Sequence, residues 1–291
     1  MNKFTIVTSI KDPASNTMKN CLVEDERFEI ANNYKPQNQN NNYTSENQDY
    51  KIYNSIKHPN TTLIITNQNL VDIDNIDTII PGDNMIIFLS KHASKSKTPT
   101  LTSHSTGNFS EFVLLGGKPM EIGNTFPSFQ KFYMRKLYEK RSELLEYDLI
   151  IEATHHGPTS SVNPMLFIEI GSSEKEWGNK STASIVCQSV LDTIKNIENN
   201  INNYDIDIGI GIGGNHYPQK FNELMLFSRV AFGPIISKYN LAFINEKIIK
   251  QMRIKSIEKI TRIYIDEKGL GKEKEKVLDI ARSQELEIIF V

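Results

Sequence analysis

The chain alternates between short apolar runs and longer segments with helical spacing. The apolar runs have strand length and are rich in Ile and Val, at residues 4–10, 63–66, 85–89, 149–151, 165–170, 206–212, 261–265 and 286–291. Segments 13–22, 126–147, 174–197, 246–257 and 272–282 have the caps, apolar spacing or charge pattern of helices. This alternation predicts an α/β fold: a mixed, mostly parallel sheet flanked by helices. The pattern also allows a smaller second α/β lobe.

One segment breaks the pattern. Residues 32–48 are crowded with Asn and Gln and contain no Ile, Leu or Val. Such a segment cannot bury enough apolar surface to offset the entropy lost on ordering it. We therefore predict an Asn-rich loop insertion at 32–48, inside what is otherwise a single region over 1–291.

The most informative stretch is 149–159, where a buried type of strand ends in an acid, two imidazoles and a Gly-Pro turn. Ligand sites in open α/β sheets gather at such strand ends, and imidazole binds metals or carries protons near neutral pH. Glu152, His155 and His156 are therefore candidate catalytic residues, although a polar turn with satisfied histidines would have the same sequence. Neighbouring strand residues point to opposite faces, so the two histidines reach one point only if the chain turns, and we expect unequal roles.

Four other polar residues follow or interrupt apolar runs. His92 follows the run at 85–89, His104 ends the segment 101–104, and His216 follows the run at 206–212. Glu169 lies inside an apolar strand, where an acid is costly unless it is paired or bound to a ligand. All four are candidates to hold a metal ion or to move a proton.

The glycines at 209, 211, 213 and 214 have the spacing of a dinucleotide-binding loop. Tyr217-Pro218 predicts, however, that no helix begins where a pyrophosphate would bind. We therefore predict no nucleotide cofactor and expect these glycines to allow a close backbone approach instead.

Two cationic segments could contact RNA phosphates. Lys91, Lys95 and Lys97 lie in a polar loop after a strand, and segment 131–141 carries basic residues along a helix. Each could equally be a solvated surface. The whole chain of 291 residues has a formal net charge of −2, so any contact with nucleic acid must be local.

Composition narrows the cellular setting. Cys21 and Cys187 are the only cysteines, which argues against a disulfide framework. The chain contains no apolar run of about 20 residues, and its first residues lack a long apolar segment, so we expect no secretory leader. We expect a cytoplasmic protein without a membrane partner.

The polar blocks, taken in order, resemble the archaeal and plant type of D-aminoacyl-tRNA deacylase. The resemblance is carried by segments 90–110, 152–159 (Glu-Ala-Thr-His-His-Gly-Pro-Thr), 167–177 and 211–217, with a weaker fifth block at 231–239. It extends from the first strand to about residue 245. The Asn-rich insertion and Asn215 depart from the family pattern, and neither departure removes a candidate ligand.

The resemblance implies hydrolysis of the ester that joins a D-amino acid to the tRNA 3′ end. It also implies a fold related to peptidyl-tRNA hydrolase and nucleoside phosphorylases, and a requirement for Zn²⁺, with two ions in each monomer. On this basis we expect His155, His156 and Glu152 to be catalytic, and a D-aminoacyl-tRNA to be the partner of a monomer. The expected metal ligands are His92, His104, His155, Glu169 and His216, and the expected substrate-binding residues are Lys91, Thr98, Thr100, Gly213 and Gly214.

Two other functions remain open at the level of sequence: a non-catalytic RNA-binding protein and a nucleoside phosphorylase-like enzyme. The cluster of His and Glu favours the esterase, because binding of phosphate alone needs cations. The sequence contains no Gly-x-Ser-x-Gly motif, so a covalent serine mechanism is not predicted.

Overall fold

The structure is a computed structural model that describes residues 3–24, 27–31, 50–74, 76–80, 82–199 and 205–291. The predicted Asn-rich insertion at 32–48 lies outside these residues. None of the helices within the described ranges is long and apolar enough to span a bilayer.

Strands and helices alternate along the described chain. The strands are β1 (Lys3–Ser9), β2 (Phe28–Ile30), β3 (Tyr50–Ser55), β4 (Thr61–Thr66), β5 (Asn84–Lys91), β6 (Thr100–His104), β7 (Gly107–Asn108), β8 (Glu121–Ile122), β9 (Asp148–Ile151), β10 (Met165–Gly171), β11 (Asp207–Ile212), β12 (Val230–Ile236), β13 (Arg262–Ile265) and β14 (Glu287–Phe290). The α-helices are α1 (Pro13–Glu24), α2 (Ile76–Ile79), α3 (Pro127–Glu139), α4 (Glu174–Trp177), α5 (Lys180–Asn199), α6 (Gln219–Phe227), α7 (Glu246–Ile254) and α8 (Lys274–Arg282).

The larger sheet has eight strands in the order β2-β3-β4-β1-β5-β10-β6-β9. Its centre, β4-β1-β5-β10, is parallel, and β6 then pairs antiparallel with β10. At the other side β2 and β3 join as antiparallel strands. The predicted α/β class with a mixed, mostly parallel sheet is confirmed.

One face of this sheet is packed against helices. Along β5, Met85, Ile87 and Leu89 alternate onto this face, and Leu166 and Ile168 do so along β10. Residues from α1, α3 and α5 belong to the same buried cluster. Burial on both sides explains the uninterrupted apolar runs of the central strands.

The opposite face changes from apolar to polar along its length. Ile86 and Phe88 of β5, with Met165 and Phe167 of β10, form a second apolar cluster beneath α2. Two residues further along each strand, the same face carries Ser90 and, paired with it in register, Glu169. The sheet therefore presents buried polar groups beside an apolar cluster.

The second sheet is smaller and wholly parallel, in the order β12-β11-β13-β14. It is joined to the end of β9 by backbone hydrogen bonds, from Ala153 N to the His216 carbonyl and from Thr154 N to the Ile235 carbonyl, both 2.9 Å. Buried residues of both sheets belong to one cluster. Residues after β9 and after β11 are thereby brought together.

Several expectations about individual elements need correction. A helix, α6, does follow the glycine-rich loop, because Pro218 lacks only an N–H that the start of a helix leaves unbonded. The helix expected over 126–147 ends at Glu139 and continues as a short 3-10 turn at Arg141–Glu143. Strands β2 and β3 were not anticipated, because their exposed positions give no continuous apolar run.

Lys131 was expected on an exposed cationic face and is instead buried, with 1% of its surface exposed. Its ammonium donates hydrogen bonds of 2.8–2.9 Å to the carbonyls of Met225, Ser228 and Val230, at the end of α6 and the start of β12. Burial, together with the charge of Arg135, lowers the pKa of Lys131 to about 8. Lys131 is thus a structural contact between the two sheets, so segment 131–141 is a weaker candidate for RNA contact.

We predict that Lys131→Met lowers the free energy of unfolding by about 2 kcal/mol, because buried carbonyls lose their donor. The measurement is denaturant-induced unfolding at pH 7. Lys136→Ala is the matched control, since Lys136 makes only an exposed ion pair with Glu139, and it should change stability by less than about 1 kcal/mol. Equal stabilities of the Lys131→Met variant and the unsubstituted protein would contradict this role.

Candidate active site

Glu169 lies on the polar part of the larger sheet. It is the first member of a buried cluster of His and Glu residues, here called the floor of the site. Its carboxylate accepts hydrogen bonds from the hydroxyls of Ser90 (2.6 Å) and Thr102 (3.4 Å), one on each neighbouring strand. Burial would raise the pKa of Glu169, but His104 and His92 hold it below its usual value. Glu169, an acid within an apolar strand, is therefore ionised and surrounded by hydrogen-bond donors.

Glu152 immediately follows β9 and is 2% exposed. Its Oε2 lies 2.6 Å from Nε2 of His216, and its Oε1 lies 3.2 Å from Nδ1 of His92. Among the described residues, neither carboxylate oxygen accepts a hydrogen bond of good geometry. Burial alone would raise the pKa of Glu152, but His216 and His92 hold it well below its usual value. Glu152 is therefore a buried anion whose carboxylate oxygens are still available to bind a ligand.

His92 links the two carboxylates. Its Nδ1 lies 3.2 Å from Glu152 and 3.4 Å from Glu169, while its Nε2 lies 2.8 Å from the hydroxyl of Tyr217. Burial opposes protonation of the ring, yet the two nearby carboxylates raise the pKa of His92 to about 11. In this arrangement His92 acts as a cation between two anions.

The chain turns at His156 itself. His156 has a φ of +41°, in the left-handed region, which costs a residue with a side chain about 1 kcal/mol. Gly107 N stabilises the turn by donating to the His156 carbonyl at 2.8 Å. Gly157 is required next, because a Cβ there would lie 2.2 Å from the backbone nitrogen of Gly117. As a result, both rings of the His pair reach the ring of His104, at centroid distances of 4.0 Å for His155 and 4.7 Å for His156.

These three imidazoles share one orientation. Nδ1 of His104, His155 and His156 lies 3.2, 2.8 and 2.7 Å from a backbone carbonyl, respectively. A carbonyl only accepts, so each Nδ1 carries a proton, and in a neutral ring Nε2 is then left with a lone pair. Backbone carbonyls that fix the outer ring nitrogen are typical of metal-binding histidines.

The pKa values of the three rings differ. Burial and the neighbouring imidazoles lower the pKa of His155 well below its usual value, and they lower that of His156 to about 4. Burial also opposes protonation of His104, but Glu169 raises its pKa. His155 and His156 are therefore neutral, as metal ligands must be.

The residues fit a metal ion in overlapping groups. Potential ligand atoms within 4.8 Å of one another occur in three sets: His104, His155 and His156; Glu152, His155 and His216; and His92, Glu152 and Glu169. Within the described part of the chain, Nε2 of His104 is buried without a hydrogen-bond partner, and both oxygens of Glu152 are similarly unsatisfied. Such groups are tolerated where a ligand completes them.

This floor lies at the bottom of a pocket of about 850 Å³. Cationic side chains on its lining are Lys11, which follows β1, Lys91, which ends β5, and Lys95, which follows β5. Leu70, Val71, Leu114, Leu115 and Phe167 supply apolar lining. The pocket thus combines a buried His and Glu floor with cationic and apolar surfaces.

The structure brings together the predicted residues His92, His104, Glu152, His155, His156, Glu169 and His216, and it places Lys91 on the pocket lining. The remaining predicted residues do not line the pocket. Thr98 and Thr100 bond the hydroxyl of Ser172 through a carbonyl and a hydroxyl, and Gly213 and Gly214 pack near Asp266. Their role in substrate binding stays a prediction.

Sequence analysis did not anticipate Tyr217, Lys11 or the apolar residues Leu114 and Leu115. Tyr217 directly follows a candidate histidine, and Lys11 follows the first strand, so both positions carried a usable signal. Leu114 and Leu115 lie in an irregular segment far along the chain from any candidate ligand, and only the fold brings them to the pocket.

The fold and site define an α/β protein with a buried His and Glu cluster that could hold a metal ion. A family model described as D-aminoacyl-tRNA deacylase matches residues 81–289. The D-aminoacyl-tRNA deacylase of Desulfurococcus amylolyticus is 32% identical over 276 residues, covering 94% of each chain. The D-aminoacyl-tRNA deacylase of Methanococcus maripaludis (strain DSM 14266) is 40% identical over 205 residues, covering 68% of this chain and 78% of the relative.

A solved crystal structure of a conserved protein of unknown function superposes with a TM-score of 0.85 at 27% identity, covering 99% of this chain and 95% of that chain. The chain belongs to the D-aminoacyl-tRNA deacylase family. The resemblance noted in the sequence is confirmed.

We predict that His155→Ala weakens binding of a divalent metal more than His156→Ala, by about tenfold or more. The reason is that His155 belongs to two of the potential ligand groups and His156 to one. Metal content by mass spectrometry, with chelator competition for affinity, measures both variants. Equal retention, or a larger loss in the His156→Ala variant, would contradict the shared role of His155.

Proposed function

We propose that this chain hydrolyses the ester bond of D-aminoacyl-tRNA, releasing the free D-amino acid and tRNA, with Zn²⁺ held by the His and Glu cluster. The observation that carries the proposal is Glu152, a buried and ionised carboxylate beside His155 and His216 at the floor of an open pocket. An aminoacyl ester is already activated, so the enzyme needs mainly to position a water and stabilise an oxyanion.

The residues that would hold metal are His104, His155 and His156 in one group and Glu152, His155 and His216 in another. The chemistry that such an ion supplies is Lewis acidity, which polarises an ester carbonyl and makes a neighbouring water more acidic. Zinc suits a donor set of imidazoles and carboxylates. His92 can join a third group, but in this structure both of its nitrogens already have polar partners.

The side chains also offer a route for protons. Oε2 of Glu152 accepts a proton from the attacking water, whose oxygen forms the new bond to the acyl carbon. The ester bond to the ribose breaks, and the leaving ribose oxygen needs a proton. With the ion held by His104, His155 and His156, Glu152 and His216 stay free for proton transfer. His216 lines the pocket with its Nε2 2.6 Å from Glu152, so this Nε2 supplies the proton and regains one from Glu152.

The rest of the pocket fits the 3′ end of tRNA. Lys11, Lys91 and Lys95 line it and can neutralise backbone phosphates, although the chain as a whole is slightly acidic. A phosphorylase-like function is less well supported, because two ionised carboxylates on the floor would repel inorganic phosphate. A protein that only binds RNA would have no use for unsatisfied Glu152 oxygens.

We predict that the purified protein releases free amino acid from D-tyrosyl-tRNA and not from L-tyrosyl-tRNA. Glu152→Gln should lower kcat by at least about 100-fold, since it removes the proton acceptor. Chelation should stop turnover, leave tRNA binding largely intact, and be reversed by Zn²⁺. The measurement is release of labelled tyrosine, with tRNA binding followed by filter retention.

Each of these measurements tests a different part of the proposal. No release from any D-aminoacyl-tRNA would refute the function. Full activity after thorough metal removal would refute zinc and leave the esterase to depend on protein groups alone. Lys180→Ala, a change at the exposed start of α5, serves as the control and should not alter kcat.

A further inference from the structure

The pocket has an apolar side that the hydrolytic chemistry does not use. Residues 110–118, here called the apolar loop, expose Phe112 (78%), Leu114 (93%) and Leu115 (57%) to solvent. Leu114 and Leu115 belong to the pocket lining. Large apolar side chains this exposed and this close together mark a binding surface more often than an accident of sequence.

The apolar loop is fixed in place despite its exposure. Asn108 donates to the carbonyls of Gly116 and Lys118 at 3.0 and 3.2 Å. Gly157 N, beside the His pair, donates to the Leu115 carbonyl at 2.9 Å. On its other side, Gly116 lies so close to the Val71 carbonyl that a Cβ would be 1.8 Å away. The apolar side chains are therefore held at a set distance from the catalytic floor.

Charge is distributed unequally around the pocket. The lysines lie after β1 and at or just beyond the end of β5, whereas the apolar loop packs on the segment after β4 and on the turn after β9. A ligand that matches this arrangement has an anionic part, a hydrolysable centre and an apolar, flat or compact part. An aminoacylated nucleotide has all three.

We propose that the apolar loop binds the terminal adenine base of the tRNA, so that Leu114 and Leu115 position the ester over the floor. This inference rests on the proposed function. Leu114 is almost fully exposed and cannot enclose an amino-acid side chain, so it offers a flat surface and not a closed pocket. A flat apolar surface suits a group that is the same in every tRNA, because aliphatic side chains can pack against the face of a base without selecting its shape.

The test compares two small esters with the Leu114→Ala/Leu115→Ala double variant. The substrates are D-tyrosyl-adenosine and D-tyrosine methyl ester, which differ in the presence of the nucleoside. In the variant, the ratio of kcat/KM for D-tyrosyl-adenosine to kcat/KM for the methyl ester should fall about tenfold. This corresponds to ~1.4 kcal/mol of lost contact with the base. Leu145→Ala is the matched control, an equally exposed leucine (75%) outside the pocket lining, and should keep the ratio.

Three results would overturn the inference. An equal loss of kcat/KM on both esters would assign the loop to the amino acid, and unchanged kcat/KM values for both esters would assign it no contact with the substrate. Binding of the trinucleotide CCA, measured calorimetrically, tests the same contact without catalysis and should weaken about tenfold in the double variant. If the unsubstituted protein releases no amino acid from D-aminoacyl-tRNA, yet CCA binding weakens in this way, the proposed function fails and the loop's contact with the base stands. CCA binding that is unchanged by the double substitution overturns the contact.

Discussion

Burial of Glu152 and Glu169 is the constraint on which the site depends. With 2% and 5% of their surfaces exposed, both carboxylates need compensation for lost solvation, and each remains ionised only because imidazoles surround it. His92 lies between them, His104 faces Glu169, and His216 contacts Glu152. Removing one of these side chains would leave a buried charge without its partner. This destabilises the fold more than replacing both members of the ion pair with apolar residues.

This requirement explains why the two sheets meet where they do. Glu169 comes from the face of the larger sheet and Glu152 from the end of β9, but His216 follows β11 of the smaller sheet. The backbone bond from Ala153 to His216 and the buried ammonium of Lys131 fix the sheets relative to each other. The separation of Glu152 and His216 is thus set by the fold, and a shift between the sheets would move the His216 ring away from the Glu152 carboxylate.

Much of this arrangement could be predicted from sequence, because it depends on local patterns. Apolar runs gave the central strands, and polar residues that follow or interrupt those runs gave all seven members of the His and Glu cluster. Other features depend on contacts between distant residues. Lys131 has the sequence context of a surface cation, and its burial follows only from carbonyls that α6 and β12 supply. Similarly, the position of Leu114 is set by Asn108, Gly116 and Gly157, which no pattern of spacing connects.

The central claim is that unsatisfied ligand atoms around His155 and Glu152 hold a metal ion. Anomalous diffraction at the zinc absorption edge, from crystals grown with Zn²⁺, tests it most directly. The account predicts a peak within bonding distance of His155 and at least one other member of the cluster, at about 2.0–2.2 Å from nitrogen or oxygen. Zinc peaks confined to the surface, with the cluster unbound in the same crystals, would contradict it.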